Sequence, residues 1–230
     1  KKMAGQKGFL YEGRVFNRLK SKNLVPAGVT PAGADAKKPD AIFNFNKKQH
    51  KLEVKLNLAT DFGQGTLEYK NNSWQLGGAK TSEAEEMRNI LTRVGVVQFT
   101  NTSWGMQGPP NKGTVENKDI TEEMVREDYR RFTDKFLNVP LSSVFNYYGA
   151  KGTYYIQIGG YGMYYMASNP ANLPIPRLNG ALRLRIRLKR GGSTPIYNYR
   201  FTTALQFTQK PTRSKFDIDS SMDFLASWII

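Results

Sequence analysis

Between Lys51 and Leu58 polar and apolar residues alternate without a break. Side chains of a strand point to opposite faces in turn, so this stretch predicts a half-buried strand. Leu52, Val54, Leu56 and Leu58 face a core, and Lys51, Glu53, Lys55 and Asn57 face away from it. Residues 40–45 read as a preceding strand, joined by a polar turn at 46–49. Further upstream Phe9, Leu10, Val15, Phe16 and Leu19 recur at roughly helical spacing, with Glu12 early in that helix. Two short strands flank a hairpin turn at Asn71-Asn72. A helix follows over 81–94, opened by a capping box of Ser82 with Glu85. Residues 95–99 read as a buried strand and 101–118 as a loop. The spacing over 121–137 predicts a helix with an acidic start, ended by Pro140. Beyond it the chain reads as mostly β, with strands around the glycines at 159–162 and a long hairpin over 181–207. This order of elements predicts a mixed α/β (α+β) fold. A core occupies 1–139, and a basic, β-rich extension over 140–230 packs on it.

Charge sharpens the picture. The 230 residues hold 34 Lys and Arg against 19 Asp and Glu, a net +15. Residues 1–80 carry 15 basic against 6 acidic residues, 81–150 carry 8 against 10, and 151–230 carry 11 against 3. Such a balance points to an anionic partner, with nucleic acid first: DNA, with RNA left open. The chain has no cysteine, which excludes disulfides, thiolate catalysis and cysteine-ligated zinc. It has one histidine, His50, which alternation puts opposite Glu53, so a packed strand histidine is expected there rather than a catalytic base. No apolar run is long enough to span a membrane and no signal-peptide pattern opens the chain, so the expectation is a cytoplasmic protein without membrane contact. The apolar end, 224–230, reads as a last packed element.

The acids within this basic chain fall at particular places. Asp40 opens a strand, Glu53 lies on the next one, and Lys55 shares the face of Glu53. If the two strands are adjacent and antiparallel, Asp40 and Glu53 meet at one end of the sheet, where Glu12 can join them from the helix. Clustered carboxylates repel unless a cation sits among them, and such oxygen donors suit Mg²⁺. A metal there would polarise a phosphate and lower the pKa of its water. Lys55 would offset charge developing on the phosphate. Val54 points to the core, which leaves its carbonyl as a further ligand.

Pro39-Asp40 followed by Glu53-Val54-Lys55, with Glu12 on the helix before them, resembles the PD-(D/E)XK nuclease superfamily, which includes many restriction endonucleases and the archaeal Holliday-junction resolvases. The resemblance covers roughly residues 7–100. It implies a restriction-endonuclease-like mixed sheet flanked by helices and metal ligation by Glu12, Asp40 and Glu53. Lys55 would assist catalysis, with Mg²⁺ as the cofactor and Mn²⁺ as a substitute. Some nucleases of this superfamily place a Gln and a Tyr after the Glu-X-Lys strand. Gln64 and Tyr69 are one residue wider apart than that motif; Gln64 is carried over as a DNA contact, with Asp61 and Glu68 behind it, and the alternative for all three is loop and hairpin residues. The bland reading is a surface pair of Glu53 with Lys55, and Asp40 as a turn residue; Asp35 is a rival to Asp40.

Two other stretches bear on binding. In 182–190 Leu182, Leu184, Ile186 and Leu188 alternate with Arg183, Arg185, Arg187 and Lys189. Four like charges on one strand face call for a counter-charge, which a phosphate backbone would supply; the alternative is a solvated edge strand. Lys37 and Lys38, directly before Pro39, are further candidate contacts. The tyrosines between 147 and 165 read as packing under a β layer, with base stacking the rarer use. Residues 77–82 and 108–113 lack the glycine pattern of a phosphate loop. The expected function is a Mg²⁺-dependent, restriction-like endonuclease of double-stranded DNA. The alternatives are a structure-selective nuclease of the resolvase kind and a non-catalytic nucleic-acid-binding protein. The acidic helix starts at 83–86 and 122–128 also fit a partner surface such as a homodimer face.

Overall fold

The computed structural model describes residues 2–31, 38–78, 81–191, 195–219 and Leu225. In chain order the elements are α1 (Lys2–Ser21), β1 (Ala41–Phe45), β2 (Lys48–Lys55), β3 (Gln64–Lys70), β4 (Ser73–Gly77), α2 (Ser82–Arg93), α3 (Val96–Trp104), α4 (Glu122–Arg131), β5 (Lys135–Val139), α5 (Ser142–Gly149), β6 (Thr153–Ile158), β7 (Gly162–Tyr165), β8 (Ala181–Arg190) and β9 (Tyr199–Gln209). Among the described residues these form two sheets, so the fold is mixed α+β. No helix among them is long and apolar enough to cross a membrane.

The chain divides into two compact units, each discontinuous in sequence. The first comprises Lys1–Thr60, Leu141–Ala181 and Phe207–Ile230; the second comprises Asp61–Pro140 and Leu182–Gln206. The expected division at residue 139 therefore falls on one boundary, but 1–139 is not one body. The reason is a parallel pairing that no local pattern signals. β6 lies beside β2, in parallel, with Glu53 opposite Ile156 and Lys55 opposite Ile158. Parallel neighbours need a long connection. Here that connection contains most of the second unit, followed by α5.

The first unit carries the sheet β1-β2-β6-β7. β1 and β2 form an antiparallel hairpin that pairs Ala41 with Leu52 and Phe45 with Lys48. Its turn is shorter than expected: Asn46 and Lys47 both adopt positive φ, the geometry of a two-residue turn. The buried stripe of α1 is Tyr11, Val15, Phe16 and Leu19, while Phe9 and Leu10, expected inside, are exposed. That stripe packs with Leu52, Val54, Phe43 and Tyr155 in one apolar cluster. Each fully buried side chain of this size contributes roughly 1.5–3 kcal/mol. Gly159, just past β6, is needed for close approach, because a Cβ there would lie 2.1 Å from the Leu56 carbonyl oxygen.

The second unit carries the sheet β4-β3-β9-β8-β5. β3 and β4 join through Asn71-Asn72, both at positive φ, as the sequence predicts. Trp74, Trp104, Phe132 and Phe201 form an aromatic cluster with ring centroids 4.6–5.5 Å apart. Three expectations change here. Residues 95–99 are not a strand: Gly95 takes a left-handed conformation at φ 71° and starts α3. The helix expected to run to 137 ends at Arg131, and Lys135–Val139 is a strand paired with β8. The cap of α2 is Thr81, whose side chain accepts from the Ala84 N–H, one residue before the cap expected. The acidic start of α4 is neutralised along its own helix by Arg126, Arg130 and Arg131. The turn expected at 191–194 and most of 224–230 lie outside the described residues, as do Asp35 and Lys37.

Candidate active site

The hairpin brings Asp40, at the foot of β1, against the end of β2. Its Oδ2 accepts a hydrogen bond from the Val54 backbone N–H at 2.8 Å. The N–H and C=O of one strand residue point to the same edge. The Val54 carbonyl therefore faces the Asp40 edge, away from β6, while the Val54 side chain is buried in the core. Alternation places Glu53 and Lys55 on the opposite face, as predicted. The Lys55 Nζ lies 2.5 Å from Glu53 Oε1, and both side chains are largely covered, 19% and 15% exposed.

The charges of this group act on one another. Burial drives the Asp40 carboxyl up to about 7; repulsion from Glu53 adds to the rise, the Lys55 charge and the Val54 N–H oppose it, and Glu12 adds a little more. Burial also raises Glu12, with Lys55 opposing and Glu53 adding. Burial works against the Lys55 ammonium, but Glu53, Asp40 and the hydrogen bond to Glu53 outweigh it and hold its pKa above the ordinary value. Four groups from α1, β1 and β2, spread over 44 positions of sequence, thus share one electrostatic neighbourhood. Among the described residues no three His, Asp or Glu side chains are arranged as a metal-binding group. The positive charge that the carboxylates share here is Lys55.

A residue that the sequence reading assigned to packing completes the group. Tyr148 on α5 is buried, and its hydroxyl donates to Glu53 Oε1 at 3.1 Å. Its ring also lies 6.0 Å below the Lys55 ammonium. Burial, then the nearby Glu53 charge, keeps this phenol well above its usual range, so it remains a donor. Nothing in the local pattern around Asn146-Tyr147-Tyr148 distinguishes such a tyrosine from a packed one, and α5 itself was not expected. His50 behaves as expected, packed against Phe43 and Tyr155 with ring centroids 5.4 and 5.8 Å away.

The donor set is of one chemical kind: three carboxylates and a backbone carbonyl, all hard oxygens, as Mg²⁺ prefers. A carboxyl pushed up by burial and by a like charge is one that a divalent cation returns to its ionised form. By donor chemistry the residues fit such an ion. No family model matches the chain, no curated protein matches its sequence, and no solved structure matches its fold.

The remaining predicted residues are placed elsewhere. Lys38 is exposed, two positions before Asp40. Gln64 lies in the second unit, where its amide donates to Asp61 at 2.8 Å. Asp61 also accepts from Arg187 at 3.0 Å and Gln206 at 3.1 Å. Arg185 pairs with Asp134 at 2.5 Å, and the Arg183 guanidinium stacks 3.9 Å from the Phe136 ring centre. The counter-charge sought for Arg185 and Arg187 is thus supplied inside the unit. β8 lies between β9 and β5, so it is not an edge strand. The alternation in β8 holds throughout, with Leu182, Leu184, Ile186 and Leu188 buried. Positive charge is densest in the unit that carries the carboxylates, with 18 Lys and Arg against 7 acids, compared with 16 against 12 in the other.

Proposed function

We propose that this chain is a metal-dependent endonuclease that hydrolyses phosphodiester bonds in double-stranded DNA, in the manner of the restriction-endonuclease-like PD-(D/E)XK enzymes that its motif resembles. The observation that carries the reading is the largely covered Lys55–Glu53 pair, with Asp40 bonded to the same strand at Val54 and Glu12 within electrostatic reach, in the more basic of the two units. Seven acids stand in that unit, and three of them are these. Stability alone does not call for such a grouping, since Asp40 is held against its own charge.

In this reading the carboxylates of Glu12, Asp40 and Glu53, with the Val54 carbonyl, hold Mg²⁺ or Mn²⁺. The ion supplies Lewis acidity toward the phosphate and a water of lowered pKa. The protein's own groups supply position and charge. The Val54 N–H fixes the direction of Asp40. Tyr148 fixes Glu53. The Lys55 ammonium, kept protonated by its neighbours, opposes negative charge that builds on the phosphate oxygens as the water attacks.

The test is relaxation and linearisation of supercoiled plasmid in Mg²⁺, with Mn²⁺ and EDTA arms, beside Asp40→Asn and Glu53→Gln. Cleavage by the wild type, lost with EDTA and reduced at least 100-fold in both variants, is expected. Equal cleavage by all three proteins, or none by the wild type with either metal, ends the proposal. The close Lys55–Glu53 contact favours a second reading, a DNA-binding protein whose acids are structural. That reading requires strongly salt-dependent binding with no cleavage in any arm.

A further inference from the structure

A line of contacts leaves the site along the outer face of β2. Lys51 lies on the same strand face as Glu53 and Lys55, four residues before Lys55. Its Nζ donates to the Lys151 backbone oxygen at 2.7 Å. The Lys151 Nζ turns back to the Tyr147 hydroxyl at 2.9 Å and lies 4.1 Å from that ring's centre. Tyr147 in turn stands edge-on to Tyr148, with ring centres 5.0 Å apart. Tyr148 holds Glu53 beside Lys55. The chain of contacts Lys51–Lys151–Tyr147–Tyr148 therefore ends at the reacting groups.

Two features set this line apart from an ordinary solvated surface. Lys51 and Lys151 are both held in place, by a carbonyl and by a phenol, yet neither is paired with a carboxylate among the described residues. The arginines of β8 differ on this point, since Arg185 and Arg187 have acidic partners. Two ammonium groups held in place on neighbouring elements without a carboxylate partner offer successive contacts to an extended anion. From Lys51 to Lys55 the strand covers about 13 Å, which corresponds to roughly four nucleotides at 3.4 Å per step of one strand.

We infer that Lys51, held by the Lys151 carbonyl, and Lys151, held by Tyr147, form a phosphate track that receives the DNA backbone next to the scissile position. The inference rests on the proposed nuclease reading for the place it assigns to the scissile bond, and on charge and geometry alone for binding. It also moves the principal grip on DNA from the β8 arginines to the unit that carries the carboxylates.

The experiment is fluorescence-anisotropy titration of a labelled 20-base-pair duplex in EDTA, from 50 to 300 mM salt. The proteins are wild type, the double variant Lys51→Gln/Lys151→Gln, the double variant Lys51→Arg/Lys151→Arg, and Lys118→Gln as a charge control in the second unit. Each phosphate contact contributes about 0.9 to the slope of log affinity against log salt. The Gln double variant should lose about 1.8 of that slope, and about 30-fold in affinity at 0.15 M salt. The Arg double variant should keep wild-type slope, which separates charge from folding, and Lys118→Gln should leave it unchanged. An unchanged slope in the Gln variant, an equal loss in the Lys118 control, or a wild type that does not bind overturns the track. Cleavage is scored separately in Mg²⁺. Loss of slope without any wild-type cleavage sinks the nuclease reading and keeps the track; wild-type cleavage with an unchanged slope does the reverse.

Discussion

Asp40→Asn should make the metal-free protein more stable, and by an amount that depends on pH. The carboxyl is ordinarily half-ionised near 3.8, and in the folded protein burial and the Glu53 charge move that point to about 7. The unfolded chain therefore gives up its proton first. Between those two values the folded state binds the extra proton, so stability falls as pH rises from about 4 to 7 and levels off above. Each pKa unit is worth about 1.4 kcal/mol, so the full penalty is roughly 4 kcal/mol. Asparagine keeps an oxygen to accept from the Val54 N–H and carries no charge. Its baseline cost cancels when two pH values are compared, and the stability gap between variant and wild type should widen by roughly 2–3 kcal/mol from pH 5 to pH 8. The assay is urea denaturation in EDTA, read by hydrogen exchange of the β2 peptide. Two of the three tryptophans, Trp74 and Trp104, belong to the other unit, so tryptophan fluorescence would mix the two transitions. A gap that stays constant across this range would falsify the claim that Asp40 is held against its charge.

Other expectations follow from single contacts. Tyr148→Phe keeps the ring and removes the donor to Glu53. It should cost about 1.5–3 kcal/mol in stability and weaken Mn²⁺ binding measured by calorimetry; wild-type values on both counts would discard the role given to that hydroxyl. Asp61→Asn leaves Arg187, 18% exposed, without its carboxylate, and should destabilise the second unit by about 3 kcal/mol, seen in the urea midpoint of tryptophan fluorescence. Gly159→Ala forces a Cβ against the Leu56 carbonyl and should lower the melting temperature of the first unit by several degrees, whereas Gly13→Ala, with open space around it, should not.

Local pattern made β2 legible because alternation is a property of the strand itself, and Leu52 and Val54 are buried as it requires. The hairpin at Asn71-Asn72 was legible because those residue types tolerate positive φ. Val96 and Val97 misled for the opposite reason: a short apolar run is shared by buried strands and buried helices, and Gly95 decided for α3. Lys135–Val139 extended a helical spacing by chance and became a strand because β8 offered it a partner. The nearness of Asp40, Glu53 and Lys55 could be read because they lie on or beside one hairpin, whereas Glu12 lies outside it on α1. That of Tyr148 could not, since its contact with Glu53 spans 95 positions and depends on the parallel pairing of β2 with β6.

That pairing also has a consequence on the ribosome. Glu53 leaves the exit tunnel 95 residues before Tyr148, a wait of roughly 5–20 s at ordinary elongation rates. During that wait β2 presents a bare edge where β6 will later add, the kind of edge that recruits wrong partners. The enclosed segment can begin collapsing around Trp74 and Trp104 meanwhile, but Gln157 still waits for the Ile218 N–H and Asp217. A nascent chain therefore lacks both the β6 neighbour of β2 and the Tyr148 contact to Glu53 until those residues have emerged, and it needs sheltering for the same interval.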